Sequence, residues 1–183
     1  MFRYKPAITK QSHHIVSLVV GAQQYLYLHD NDLTGTIGKE ISKLTELKLL
    51  SLESNRLTGD LPASIFADLS NLEMLYVHDN PISGTVPPTV ADLRNLSQLT
   101  LSDTFLSGSL PTELLRLEKL SLVTVHHTSL SGTIPDGLCE AIAQDENNCS
   151  TIDVYWEKCR YQWTNKDACV DSELCGCSCS VCE

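Results

Sequence analysis

The sequence predicts an α/β repeat. Coils of about 24 residues stack on one continuous apolar core, and a cysteine-rich segment closes the C-terminal end. Three observations predict it. Short L-x-L elements recur at a fixed period, a glycine and a proline hold fixed places in the coil, and all eight cysteines lie between Cys139 and Cys182.

The period comes first because a missed repeat misassigns the whole fold. The L-x-L elements open at Leu26, Leu50, Leu75, Leu99 and Val123, spaced 24, 25, 24 and 24 residues. The extra residue of the 25 spacing falls near "SIFADL" in the second unit. The shared pattern is L-x-L-x-x-N-x-L-x-G-x-I-P-x-x-L-x-x-L. L-x-L alternates at period two, which predicts a short strand with leucines inward and the middle residue outward. The asparagine ends the strand, and its carboxamide can bond backbone groups of neighbouring coils whose loops are buried. Glycine permits a tight bend or φ > 0. The remaining leucines, three or four apart, suit a short helical or 3₁₀ segment on the opposite side. One unit cannot bury its own apolar face, so neighbours must stack.

The markers "LTGDLP" (Leu57–Pro62), "ISGTVP" (Ile82–Pro87), "LSGSLP" (Leu106–Pro111) and "LSGTIP" (Leu130–Pro135) stand in phase with that period. These units resemble plant-type leucine-rich repeats over roughly residues 23–138. The resemblance implies a right-handed leucine-rich-repeat solenoid with a parallel, concave β-sheet and short 3₁₀ or helical turns on the convex side. It also implies similarity to ectodomains of receptor-like proteins and kinases and to secreted polygalacturonase inhibitors, which bind peptides, proteins or wall carbohydrate. There are departures from the pattern. Gly38 stands where the proline belongs, and Thr104 and Thr128 replace the asparagine. A hydroxyl bonds fewer backbone groups than a carboxamide, so the buried ladder should weaken in the last two units.

Residues 1–22 read as an N-terminal strand or cap around "HIVSLVV". Two readings stay open there: "GAQQ" closes a hairpin, or most of one repeat is missing. The cysteine-bearing N-cap usual in the family is absent from this stretch. Residues 139–183 read as the C-terminal cap. "STIDVYW" offers a sixth strand around Ile152 and Val154, and Trp156 and Trp163 are expected over the last apolar coil. Eight cysteines (Cys139, Cys149, Cys159, Cys169, Cys175, Cys177, Cys179 and Cys182) packed into this segment read as disulfides of unassigned pairing. Four thiolates in "CGCSCSVC" could instead hold a metal, although zinc modules more often use two separated C-x₂-C pairs.

Charge and hydropathy narrow the function. The net charge is −10 without a basic run, which argues against nucleic acid and anionic membrane as partners. No apolar run approaches the 18 or more residues of a membrane span. The sequons at Asn95 and Asn148 are candidate glycosylation sites, and with the cysteines they favour an extracellular or cell-surface location. "MFRYKPAITKQSHH" does not read as a secretory signal. Nucleotide-loop, nucleophile-elbow and H-E-x-x-H motifs are absent from the sequence. The expectation is a non-catalytic recognition module without cofactor, receptor-like or secreted; the alternatives are an inhibitor of a secreted cell-wall hydrolase and an adhesive or matrix structural protein.

The sheet face carries the candidate site. Its middle column holds Tyr27, Ser51, Tyr76, Thr100 and Thr124. The next holds His29, Glu53, His78, Ser102 and His126, and beside it run Asp30, Ser54, Asp79, Asp103 and His127. Tyr27, His29, Glu53, Tyr76, His78, Asp79, Asp103 and His126 are the expected contacts for a protein or peptide ligand, with a glycan as a further option. Five strands give a strip about 20–25 Å wide. "LYLHDN" and "LYVHDN" set a histidine beside an aspartate twice, two repeats apart, so the pairs read as contact surface rather than as a general base. Strands about 4.8 Å apart put His29 and His78 roughly 10 Å apart, too far to share a metal, and no metal site is expected. Glu53 between them predicts a His–carboxylate–His row and binding that changes between about pH 5 and 7.

Overall fold

The computed structural model describes residues 23–132 together with Pro135, Asp136, Leu138, Ile152 and Asp153. Five L-x-L elements form the strands β1 (Tyr25–Tyr27), β3 (Leu49–Ser51), β5 (Met74–Tyr76), β7 (Gln98–Thr100) and β9 (Leu122–Thr124). They lie in one parallel sheet in chain order, each pairing with the next, with β11 (Ile152–Asp153) added beside β9. The sixth strand therefore stands where "STIDVYW" placed it. Register follows the repeat: Leu26, Leu50, Leu75, Leu99 and Val123 stand opposite one another. Parallel pairing requires a crossover between successive strands, and each coil supplies one.

The [ST]-G marker builds a second strand line on the flank of the coil. β2 (Thr34–Thr36), β4 (Arg56–Asp60) and β6 (Ile82–Ser83) pair in parallel, as do β8 (Ser107–Gly108) and β10 (Ser129–Leu130). The marker hydroxyl has a task there. Thr58, Ser107 and Ser131 each donate to the carbonyl of the glycine one coil back, Gly35, Gly84 and Gly108. The glycines adopt φ between +77° and +92°, a region that L side chains rarely enter.

The far side is built of single turns. Lys39–Lys43, Pro88–Asp92 and Thr112–Arg116 are five-residue 3₁₀ turns, whereas the second unit has the six-residue helix α1 (Ala63–Asp68). The inserted residue acts here. Leu69 N–H bonds the carbonyl of Ile65, four back, while Leu44, Leu93 and Leu117 bond three back. The extra residue widens one turn from 3₁₀ to α without disturbing the sheet, and adds Phe66 to the core.

The core runs the length of the stack. The inward residues of the strands and the turn leucines are buried, and Leu50, Leu75 and Leu99 have no exposure at all. Each such side chain contributes about 1.5–3 kcal/mol. The asparagine ladder closes the strand ends. Asn55 Nδ2 donates to the carbonyls of Leu28, Leu52 and Glu53, and its Oδ1 accepts from Leu33 N–H. Asn80 repeats this one coil on, with Leu52, Val77, His78 and Leu57. Thr104 and Thr128 bond the carbonyls of Leu101 and Val125 within their own unit, so the ladder does not cross between coils there, as the two substitutions predict. Gly38 takes φ −71°, and the proline positions Pro62, Pro87 and Pro111 take −69°, −76° and −71°. The backbone of the atypical first unit is therefore the same.

Among the described residues no helix is long and apolar enough to cross a membrane. The expected N-terminal strand, Trp156, Trp163, all eight cysteines and Asn148 lie outside the described residues.

Candidate functional site

The open face of the main sheet assembles from the columns expected of it, with one difference in how they pack. The middle column points away from the core, but Ser51 and Thr100 are not free. They are 1% and 8% exposed because the histidine of the preceding coil lies over each. His29 Nδ1 stands 2.8 Å from Ser51 Oγ, and His78 Nδ1 stands 2.8 Å from Thr100 Oγ1. Ser51 has one proton and donates it to Glu53 Oε2 at 2.8 Å. His29 must then donate from Nδ1–H.

This arrangement revises the His29–Glu53–His78 row. Glu53 Oε1 lies 3.7 Å from His29 Nδ1, whereas His78 turns to Thr100. The unit is a histidine–hydroxyl couple, repeated at two-coil spacing, with a carboxylate at one of the two. Tyr27 packs edge-on to His29 at 6.1 Å between ring centroids. Tyr76, half-buried, donates its hydroxyl to Gln98 Oε1. Burial, then the Glu53 carboxylate, then Tyr27 push the Tyr76 hydroxyl above the ordinary value of 10.0.

A nucleophile is not formed by these groups. Ser51 is covered and its proton is committed to Glu53, so the oxygen cannot reach a substrate. Asp30 Oδ2 is 3.9 Å from His29 Nε2, and its side chain is 77% exposed. The "HDN" sequence pair is thus a loose surface contact, not an oriented acid–base dyad.

The outermost column has a backbone cause. Asp30, Ser54, Asp79, Asp103 and His127 all take φ between 52° and 54°. Asp, Asn and His tolerate this left-handed region better than most residues. Asp79 is accordingly exposed at a bend, with its N–H bonded to the carbonyl of Ser102.

The last two units hold a cluster that the sequence reading did not assemble. His126 Nε2 lies 3.4 Å from Asp103 Oδ2, and His127 Nδ1 lies 2.8 Å from Asp103 Oδ1. One ligand atom from each of the three residues falls within 4.8 Å of the others. His126 Nδ1 rests 3.0 Å from the buried Ser102 Oγ. The sequence test compared histidines two coils apart. The signal was His126–His127 with an aspartate one coil earlier, at 24 residues from His127.

On the convex side, the candidate glycosylation residue Asn95 donates to the carbonyl of Ser70 and accepts from Lys119 Nζ.

Comparison with known proteins gives the same fold. Residues 47–106 match the leucine rich repeat family. The receptor-like kinase TMK4 of Arabidopsis thaliana is 46% identical over 57 residues, covering 31% of this chain and 6% of the relative. The ectodomain of the receptor kinase GASSHO1/SCHENGEN3 from Arabidopsis thaliana, solved with Casparian strip integrity factor 2, superposes with a TM-score of 0.60 at 37% identity. That match covers 63% of this chain and 14% of the ectodomain. A chain of the BIR3–SERK2 complex from Arabidopsis thaliana gives 0.61 at 35% identity, covering 63% of this chain and 61% of its own. The chain spans only a small part of the curated relatives it matches, between 4% and 10% of their lengths.

Proposed function

We propose that this chain, whose coils are plant-type leucine-rich repeats, is a non-catalytic, extracellular or cell-surface recognition module. It binds a protein or peptide ligand on the concave sheet in a receptor-like manner. The observation that carries this reading is the contiguous band formed by Tyr27, His29, Glu53, Tyr76 and His78. Its half-buried aromatics are held by neighbouring side chains, and its polar atoms are oriented by hydrogen bonds. Rigid, amphipathic tyrosines pay little conformational entropy on binding and are frequent interface anchors. Two of the similar structures support it, since one ectodomain was solved with a bound factor and the other is a two-protein complex. Asp79, Asp103 and His126 border the band, and a disulfide-rich cap and the candidate glycosylation sites Asn95 and Asn148 belong to the same extracellular reading.

The test is selection of binding peptides from a displayed library on the full chain, followed by substitution. Tyr27→Ala or Tyr76→Ala should weaken the selected peptides by about 2 kcal/mol, roughly 30-fold. Glu118→Ala on the convex side should leave them unchanged. Selected peptides that are indifferent to both tyrosines, or that compete at the convex side, would reject the concave face as the site.

A further inference from the structure

We infer that Asp103, His126 and His127 form a binding site for one divalent transition-metal ion of the zinc class. The inference stands whether or not the concave face binds a peptide, because its ligands lie in the last two coils and Tyr27, His29 and Tyr76 take no part in it.

Two imidazoles and one carboxylate are a donor set that suits borderline ions such as Zn²⁺ and Cu²⁺. The three residues are already clustered without an ion. Ligand atoms bound at about 2.0–2.2 Å to one tetrahedral centre lie roughly 3.3–3.5 Å apart. His126 Nε2 and Asp103 Oδ2 already stand at 3.4 Å. His127 Nδ1 stands 2.8 Å from the other oxygen, Asp103 Oδ1, and with one ligand atom from each residue within 4.8 Å of the others, the three must converge by no more than about 1.5 Å on one ion. That convergence falls to the exposed Asp103 and His127 side chains, while the half-buried His126 stays against Ser102.

A second observation concerns orientation. Metal-bound histidines generally hold their other ring nitrogen in a hydrogen bond, which fixes the tautomer and the ring plane. His126 has that bond: Nδ1 meets Ser102 Oγ at 3.0 Å, which directs Nε2 at Asp103. Ser102 is itself 2% exposed and so is a firm support. His127 contributes through its φ of 52°. In an extended strand, consecutive side chains point to opposite faces. The left-handed turn at His127 breaks that alternation and brings both rings to the same carboxylate, with centroids 5.2 Å apart. Three protein ligands leave a fourth position of a tetrahedral ion open.

Zn²⁺ titration by calorimetry, with Co²⁺ absorption as the spectroscopic probe, tests this on the full chain. Cobalt bound by nitrogen and oxygen shows visible d–d bands without thiolate charge transfer, which separates this site from the cysteine-rich segment. The wild-type chain should take up one ion with the nitrogen–oxygen signature. His126→Gln/His127→Asn should abolish that event, and Asn is well suited to the left-handed backbone at 127. Ser102→Ala keeps all three ligands and should weaken binding about 10-fold or more. Unchanged binding in the double variant, or a wild-type spectrum of thiolate character only, would overturn the assignment.

Discussion

Asn80 holds two coils together. Its Oδ1 accepts the Leu57 N–H at 2.9 Å from the preceding unit, while its Nδ2 reaches the Leu52 carbonyl at 3.0 Å. Both partners are buried; removing the carboxamide strands the Leu57 N–H away from water and takes one of two donors from the Leu52 carbonyl, which keeps Asn55 Nδ2. Each unsatisfied buried group costs about 1–3 kcal/mol. Asn80→Ala is expected to destabilise the chain by about 2–4 kcal/mol in urea unfolding. Thr104→Ala, which removes one bond inside a single unit, should cost about 1 kcal/mol. Equal losses at the two positions would show that the inter-coil bonds carry no special weight.

Gly38 points the other way. Its φ of −71° is already that of proline, and a Cβ there would meet only the far end of the flexible Glu40 side chain, with Oε2 at 2.6 Å. Gly38→Pro restores the repeat pattern and narrows the unfolded ensemble. The expected gain is about 0.4–1 kcal/mol, read as a shift in denaturation midpoint at unchanged slope.

Gly84 should not tolerate a side chain. Its φ is +85°, and an added Cβ would sit 2.5 Å from Asp60 Oδ1. Gly132 has a similar φ of +92°, but its added Cβ would lie 3.6 Å from the nearest atom. Left-handed strain of about 1–3 kcal/mol applies at both positions, and crowding is added only at Gly84. Gly84→Ala should therefore lose more stability than Gly132→Ala in parallel urea melts. Asp60→Ala in the Gly84→Ala background removes the carboxylate but keeps the Asp60 Cβ at 3.2 Å, and should recover most of the difference.

Tyr76 gives a prediction at alkaline pH. Burial first, then Glu53 and Tyr27, raise its hydroxyl above 10.0, so the folded state holds this proton more tightly than the unfolded chain does. That contribution to stability is complete below pH 10 and is lost as pH climbs through the raised value. In an absorbance titration of the six tyrosines, Tyr76→Phe should remove a late step. Glu53→Gln should move that step toward lower pH. If Tyr76→Phe instead removes a step at ordinary pH, burial is not holding the proton.

Much of the architecture was legible because it obeys one period. The strand register, the inserted residue beside Phe66 and the shortened reach of Thr104 and Thr128 all follow from counting along the chain. The sheet face was legible as columns but not as contacts. His29 meets Ser51, and His78 meets Thr100, at a separation of 22 residues, two short of the period. A column-by-column alignment pairs neither. The cluster at Asp103 escaped for a related reason. Period-two alternation sets His126 and His127 on opposite faces, and only the positive φ at His127 overrides it. Nothing in the residue itself announces that φ, although four equivalent positions, three of them aspartate, share it.

That repeated left-handed bend also restricts the alphabet of the surface. A position at φ near 52° is costly for β-branched or bulky residues, so the strand-end rim of each coil can carry little besides short polar side chains, glycine or an occasional imidazole. Bulk and hydrophobic grip must come from the column occupied by Tyr27 and Tyr76, where the backbone is extended. Within this scaffold, affinity and charge can therefore vary separately. Under the proposed concave-face binding, substitutions along the tyrosine column would change how tightly a partner is held, and substitutions along the rim would change which partners approach.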